Sequence, residues 1–537
     1  MTGFSLCEQP WIEVRDTDGA VKLVSLPEAF RQADRIAAIA GELPTQSAAI
    51  LRLMLAIFKR ATMGMGHGTR LWKQWWRDGL PVQAIDAYLD DWADRFDLRD
   101  PERPFYQVAG LTTDSGNRSG LVKLIADLPD GNPFFTQRAG EGRGRLSAAE
   151  AARWLVHCQA FDPSGIKSGA SGDERVKGGK GYPIGTAWAG WLGLVVLEGR
   201  NLRETLLLNL PLDVSEPPED RPVWERAVLG SAIEEGHLEP LGTADLYTWP
   251  SRRVLLHWDG EDVVDVQISN GDPLSPHNKR SVEPMTAWRR SPTQEKALGL
   301  ATVYMPLAHD PARQIWRGLG ALLDPVPETR REDQSRLRSG TVDWLAVLQL
   351  EGLLPLDRVV RMRTVGMAYG SQRAVIDTVV DDALDAHVAA LTELRVIALA
   401  KRGVAVADAA VMALAELAGN LADATNSDRD SARQRAREQG YAALDLHYRQ
   451  WFAELTANSD AEEAIQAWSQ LVQREIGHEG ETLVASAGPG AIKGRNTARP
   501  GDRPRHMDVG KAWMFFRIKL ADVLSLPETT TSEGETA

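Results

Sequence analysis

Apolar and polar residues alternate from Trp11 to Leu26, WIEVRDTDGAVKLVSL, on both sides of Asp18-Gly19. A period of two marks half-buried strands and Asp-Gly is a strong two-residue turn signal, so a β-hairpin is expected here. The pattern then changes. After Pro44, apolar residues at Ala48, Ile50, Leu51, Leu53, Met54, Leu55, Ile57 and Phe58 predict a well-buried helix over 45–60. A second helix is expected over 81–95, leading into FDLRDPERPFYQ, where Pro101 and Pro104 enforce an extended turn. Ser147-Ala-Ala-Glu150 reads as a capping box for a helix ending near Gln159. Residues 188–210 are apolar enough for buried strand or helix, and periodicity does not choose between them. Residues 245–269 alternate around Asp259-Gly260 and predict antiparallel strands. Strand character returns over 355–379, where GMAYGSQRA reads as a tight hairpin with its tip near Gly370-Ser371-Gln372.

Beyond residue 380 the pattern becomes helical, with helices expected over 385–425 (bent at Gly403), 430–457, 460–483 and 507–525. Short connections between long amphipathic helices favour an antiparallel bundle. The fold class is therefore α+β: a mixed α/β domain with antiparallel strands over 1–379, a C-terminal helical bundle over 380–525, and an unstructured tail over 526–537.

Composition narrows the function. With 537 residues, 43% hydrophobic and 25% charged, the chain is globular and long enough for two to four domains. A net charge of −13 argues against coating nucleic acid with the whole surface and leaves room only for focal basic sites. Several stretches qualify. Residues 161–185, FDPSGIKSGASGDERVKGGKGYPIG, set seven glycines among Lys167, Arg175, Lys177 and Lys180, a composition suited to main-chain contact with phosphates or groove edges, or to a plain surface loop. It is not a P-loop, because Gly181 follows Lys180 where Ser or Thr is required. In 126–146, Phe134 and Phe135 stand near Arg138, Arg143 and Arg145, an arrangement for stacking bases and holding phosphates, or for anchoring a loop to the core. A proline-rich segment carries Lys279, Arg280, Arg289 and Arg290, and Gly488–His506 holds five cations against one acid. The latter is expected to lack regular structure unless a ligand orders it.

Two cysteines, Cys7 and Cys158, supply neither metal-ligand spacing nor a disulfide framework, which fits a reducing cytoplasm and no cofactor. No basic leader precedes an apolar run, and Trp188–Leu197 is too short to cross a bilayer, so a soluble cytoplasmic protein without a membrane partner is expected. Neither HExxH nor GxSxG occurs, and nothing nominates catalytic residues.

Taken together, WIEV with its hairpin, Leu43-Pro44, DPERPFYQ, LRETLLLNL, DLYTWPSRR and VEPMTAWRRS resemble, in order and spacing, the CasA family, the large subunit of the type I-E CRISPR Cascade complex. That resemblance implies a mixed α/β domain followed by a four-helix bundle, and a non-catalytic role. The subunit would sit with other Cascade subunits and crRNA, recognise the protospacer-adjacent motif in double-stranded DNA, begin strand separation, and help recruit the helicase-nuclease. It further implies a glycine loop at Pro163, Ser164 and Gly165, less glycine-rich than the family pattern; a groove-entering lysine at Lys279, with Arg280 as rival; and a wedge glutamine at Gln372. Phe135, with Phe134 and Arg138 beside it, would contact nucleic acid or the complex. The alternative is a scaffold that touches RNA and partner proteins without reading the motif.

Overall fold

The computed structural model describes residues 3–66, 68–114, 116, 118–128, 136, 138, 144–212, 217–325, 335–497 and 505–522. The chain divides into two compact units: Met1–Ile315 with Ala321–Pro355 and Val360–Ala383, and Leu384–Ala537 with Trp316–Gly320 and Leu356–Val359.

In the first unit the alternating N-terminal stretch forms the expected hairpin, Ile12–Asp16 against Val21–Val24, and Ile36–Ile39 joins its other edge. The apolar run after Pro44 forms the helix Pro44–Thr62, which is buried along most of its length. Even its Arg52 is enclosed, and the guanidinium forks onto both oxygens of Glu283 at 3.0 and 2.7 Å. Trp188 Nε1 donates to the same carboxylate at 2.7 Å, so a buried charge in VEPMTAW ties three distant segments together. Ala148–Phe161 packs on that long helix, with Thr45 Oγ1 2.9 Å from His157 Nε2. Ser147 Oγ caps this helix by accepting from Glu150 N–H, while the Glu150 carboxylate is committed to Arg138 at 2.5 Å.

The segment left undecided over 188–210 resolves into a 3₁₀ turn (Trp188–Trp191), a strand (Gly193–Glu198) and a helix (Leu202–Leu208) capped by Asn201. Residues 245–269 contain the expected antiparallel pair, Arg252–Asp259 with Asp262–Asn270, but the start of the range differs: Thr243–Tyr247 is a short helix. The reason is non-local. Asp220 accepts from the amides of Ala244 and Asp245 at 3.1 and 2.8 Å, supplying a helix cap from outside the segment. Val359–Tyr369 pairs with Gly193–Glu198 on one side and Ile376–His387 on the other, giving the hairpin expected near residue 370.

The second unit is a bundle of Leu394–Thr425, Arg429–Ala453, Ala461–Ala485 and Val509–Asp522. The first helix was expected to begin at 385, but Ile376–His387 continues as strand and a short helix, Val388–Thr392, precedes Leu394. The helix runs without interruption through Gly403. A Cβ there would lie 2.5 Å from the Trp451 ring, and Trp468 Nε1 donates to the Gly403 carbonyl at 2.9 Å, so this glycine serves close packing. Trp316 stacks on Tyr448 at 4.5 Å in the same core. Leu394–Thr425 is long and apolar enough to span a bilayer, yet 67% of its most apolar window is buried within the protein. The basic stretch expected to be irregular forms a helix, Gly488–Lys493, and a pairing of Arg495–Thr497 with Arg505–Met507; residues 498–504 and the tail 526–537 lie outside the described residues.

Candidate nucleic-acid interface

The tip of the Val359–Tyr369/Ile376–His387 hairpin is where the sequence placed a wedge. Gly370 N–H donates to Val375 at 3.0 Å and Arg373 N–H to Gly370 at 2.9 Å, closing a short turn over Ser371–Arg373. Gln372 and Arg373 both adopt left-handed backbone, φ 53° and 55°. Non-glycine residues held there cost about 1–3 kcal/mol each and persist only where the surroundings enforce them. Here the surroundings do. The Arg373 guanidinium lies 4.0 Å from the Trp191 ring centroid and Nη1 donates to the Gly190 carbonyl at 3.4 Å. Tyr369 Oη donates to the carbonyl of Phe161, the last residue of the preceding helix, at 2.6 Å. Burial drives the Tyr369 hydroxyl far above its usual range, so it stays a donor. Ser371 and Gln372 remain exposed at the end of this braced hairpin.

The candidate loop 163–165 lies against the same tip. Gly165, at φ +128°, would place a Cβ 3.8 Å from that of Ala374, so the two elements touch. Both line one cleft of about 520 Å³, together with Ser164, Ile166, Lys123 and Lys180. The loop is nailed down from below. Arg252, 1% exposed, donates through Nη2 to the carbonyls of Asp162, Pro163 and Gly185 at 3.3, 3.0 and 2.9 Å. Its Nε and Lys167 Nζ both lie 2.5 Å from Asp162 Oδ2. Burial pushes the Asp162 carboxyl up, but Lys167 and Arg252 more than reverse this and hold it below the usual range. Burial also depresses the Lys167 ammonium, against the pull of Asp162. With the carbonyls turned inward, the amides of Ser164 and Gly165 donate to no acceptor among the described residues. A rigid loop offering main-chain donors suits an acceptor-rich edge, such as the minor groove of a duplex with its purine N3 and pyrimidine O2 atoms.

The other sequence-predicted residues fall elsewhere. Lys279 does not line the cleft: its Nζ sits 2.6 Å from Glu239 Oε2 and the residue is 8% exposed. Arg280 pairs with Asp343 at 2.7 Å. Arg138 is enclosed by Glu150, Asp127 and Glu42 at 2.5, 3.2 and 3.7 Å. Phe134 and Phe135 lie outside the described residues. Sequence reasoning brought Gln372 and Gly165 forward but missed the residues that position them: Arg373, Trp191, Tyr369, Asp162 and Arg252. Arg252 falls in the SRR of DLYTWPSRR, Tyr369 and Arg373 in GMAYGSQRA and Asp162 in the 161–185 stretch, whereas Trp191 lies in a segment that periodicity left undecided.

With this geometry in hand, comparison with known proteins is specific. The family model described as CRISPR-associated protein Cse1 matches residues 5–477. Over 328 residues the chain is 33% identical to the CRISPR-associated protein CasA/Cse1 of Thermus thermophilus, an alignment covering 60% of each, so the chain spans about 60% of the length of that curated relative. The crystal structure of Thermobifida fusca Cse1 superposes with a TM-score of 0.89 at 44% identity, covering 97% of this chain and 98% of that one. A chain from a CRISPR RNA-guided surveillance complex shares the fold, with a TM-score of 0.62 at 20% identity, covering 91% and 100% of the two chains. The match over most of the sequence, and the same fold throughout the Thermobifida fusca protein, mean that this chain belongs to the CasA/Cse1 family of CRISPR-associated proteins.

Proposed function

We propose that this chain is the non-catalytic large subunit of a crRNA-guided type I-E Cascade complex, acting in the cytoplasm with the other Cascade subunits. In this reading it recognises the protospacer-adjacent motif in double-stranded DNA, starts strand separation there, and helps bring in the helicase-nuclease. Family membership supports the assignment to Cascade. The observation that carries the motif-reading step is the exposed Gln372 tip, held in a strained backbone and packed against the 163–165 loop with its unclaimed amides. A wedge works by taking the stacking place of a base, and unstacking one step costs a few kcal/mol that contacts and guide pairing must return. Because a preorganised tip does not have to be ordered at the moment of insertion, less of that return is lost to entropy.

The test is target binding by the reconstituted complex, with and without this subunit, on duplexes bearing permitted or forbidden motifs. Loss of discrimination when the subunit is omitted is expected. Within the complex, Gln372→Ala should slow duplex opening, read by base-analogue fluorescence, while leaving initial capture near wild type; Lys279→Ala should weaken capture instead, provided that binding draws its ammonium away from Glu239. Equal discrimination with and without the subunit would favour the scaffold alternative, to which the pairing of Lys279 and Arg138 with carboxylates lends weight.

A further inference from the structure

The glycine-rich segment carries four cations, and the structure sorts them. Lys167 is spent on Asp162, and Arg175 on Asp173, with a further donation to the Gly271 carbonyl. Lys177 and Lys180 are exposed, and among the described residues their ammonium groups meet no carboxylate. Local geometry puts them side by side. Lys177 N–H donates to Lys180 O at 3.0 Å and Lys180 N–H to Lys177 O at 3.2 Å, closing a two-residue turn whose Gly178 and Gly179 take φ 60° and 72°. Two positive φ values in succession define the turn type that matches strand twist, and glycine meets them without cost. Residues flanking such a turn project to the same face, with Cβ atoms about 5 Å apart, where like charges repel.

Folding alone does not ask for that repulsion. The turn caps a small hairpin, Lys167–Ser168 with Lys180–Gly181, extended by Gly169 N–H donating to Gly179 O at 2.9 Å. Its base is fixed where Asn270 Nδ2 donates to the Tyr182 carbonyl at 2.6 Å. The Tyr182 side chain, 54% exposed, stands at that base, and Lys180 lines the cleft shared by Gly165 and Ala374. Glu174 is the nearby exposed acid in the same loop.

We propose that the Lys177-Gly178-Gly179-Lys180 turn is a phosphate clamp that holds the phosphodiester backbone of a DNA strand where it passes the cleft beside the Gln372 tip. It is a contact distinct from motif reading, and it rests on the reading of this face as the DNA-facing one. The two ammonium groups engage neighbouring phosphates, which relieves their mutual repulsion on binding.

The test uses the full chain with two probes, a mixed-sequence DNA duplex and a single-stranded oligonucleotide of the same length, titrated across a range of sodium chloride. Each phosphate neutralised contributes about −0.9 to the slope of log K against log salt for duplex and about −0.7 for single strands. K177Q/K180Q should therefore flatten the slope by about 1.8 on duplex or about 1.4 on single strand, and the probe that responds identifies the form held. K177R/K180R should retain the wild-type slope, and the melting temperature should fall in neither variant. An unchanged slope in K177Q/K180Q on both probes overturns the clamp, as does an absence of salt-dependent binding by the wild-type chain. Q372A carries no charge change and should leave the slope alone. A Q372A opening defect alongside an unchanged K177Q/K180Q slope would therefore sink the clamp and leave the wedge reading standing.

Discussion

Asp162→Asn removes the charge that faces two cations under the candidate loop while keeping size and one acceptor. The carboxylate oxygen Oδ2 lies 2.5 Å from both Arg252 Nε and Lys167 Nζ, whose side chains are 1% and 15% exposed. Breaking a buried ion pair by removing one partner costs about 3–5 kcal/mol, because the remaining charge is left uncompensated. Lys167 has some access to water and asparagine still accepts a hydrogen bond, so the expected loss is at the lower end, about 3 kcal/mol. The assay is urea unfolding of the full chain followed by tryptophan fluorescence, fitted as more than one transition because the two units need not unfold together. At roughly 1–3 kcal/mol per molar urea, the transition of the first unit should move down by about 1–3 M. Lys167→Met supplies the sign test. Alone it should destabilise, since it takes a cation from Asp162; in the Asp162→Asn background it should restore roughly 1 kcal/mol by removing a stranded ammonium. Because Asp162 titrates below its unfolded value of about 3.9, its contribution is complete above that pH and is lost as pH falls through the lower folded value. The gap between wild type and Asp162→Asn should therefore persist at pH 5 and close only in stronger acid. An Asp162→Asn midpoint equal to wild type, or the same cost for Lys167→Met in both backgrounds, would refute the reasoning.

Burial holds the His157 pKa down at about 4, so the unfolded chain binds the extra proton between that value and about 6.5. Stability should fall by roughly 3 kcal/mol as pH drops through that window, and His157→Gln should flatten that part of the curve; parallel stability curves for the two proteins would contradict this. In the bundle, Gly403→Ala forces a Cβ to 2.5 Å from the Trp451 ring, so overpacking of about 1–3 kcal/mol should outweigh the gain of about 1 kcal/mol in helix propensity. Thermal unfolding of the second unit reads this, and a rise in its midpoint would show that Trp451 yields freely.

The elements that could be read from sequence are those whose information is local. The hairpin tip at Gln372 announced itself through alternation on either side of Gly370, and the helix after Pro44 through a dense apolar run. What escaped was set by partners far along the chain. The Thr243–Tyr247 helix takes its cap from Asp220, and the left-handed tip is enforced by Trp191 and Gly190. Residues 384–387 carry helix-compatible side chains, yet sheet pairing draws them into strand. Arg252 and Arg253 are the plainest case. Arginine is mostly a surface residue, yet both are 1% exposed, Arg252 binding Asp162 and Arg253 binding Asp272 at 2.7 Å. Among the motifs that carried the family resemblance, DLYTWPSRR and VEPMTAWRRS thus supply buried framework through Arg252, Arg253 and Glu283.

That division bears on how strongly the face responds to salt. In three of the four basic stretches named from sequence, Lys167, Arg175, Lys279, Arg280, Arg290, Arg138 and Arg145 are all committed to carboxylates of the same protein. Lys177, Lys180 and Arg289 are exposed and, among the described residues, without such a partner. At about −0.9 per phosphate, these three cations would contribute roughly −2 to −3 to the slope for duplex capture if each meets a phosphate. A protein of net charge −13 cannot add long-range attraction to that. On the proposed reading, recognition then draws on shape and on main-chain donors at Ser164 and Gly165, whose contacts would release no counterions. A measured slope near −6 would mean instead that Glu239, Asp343 and their neighbours surrender their cations on binding, so that the paired state seen here is a resting one that DNA must open.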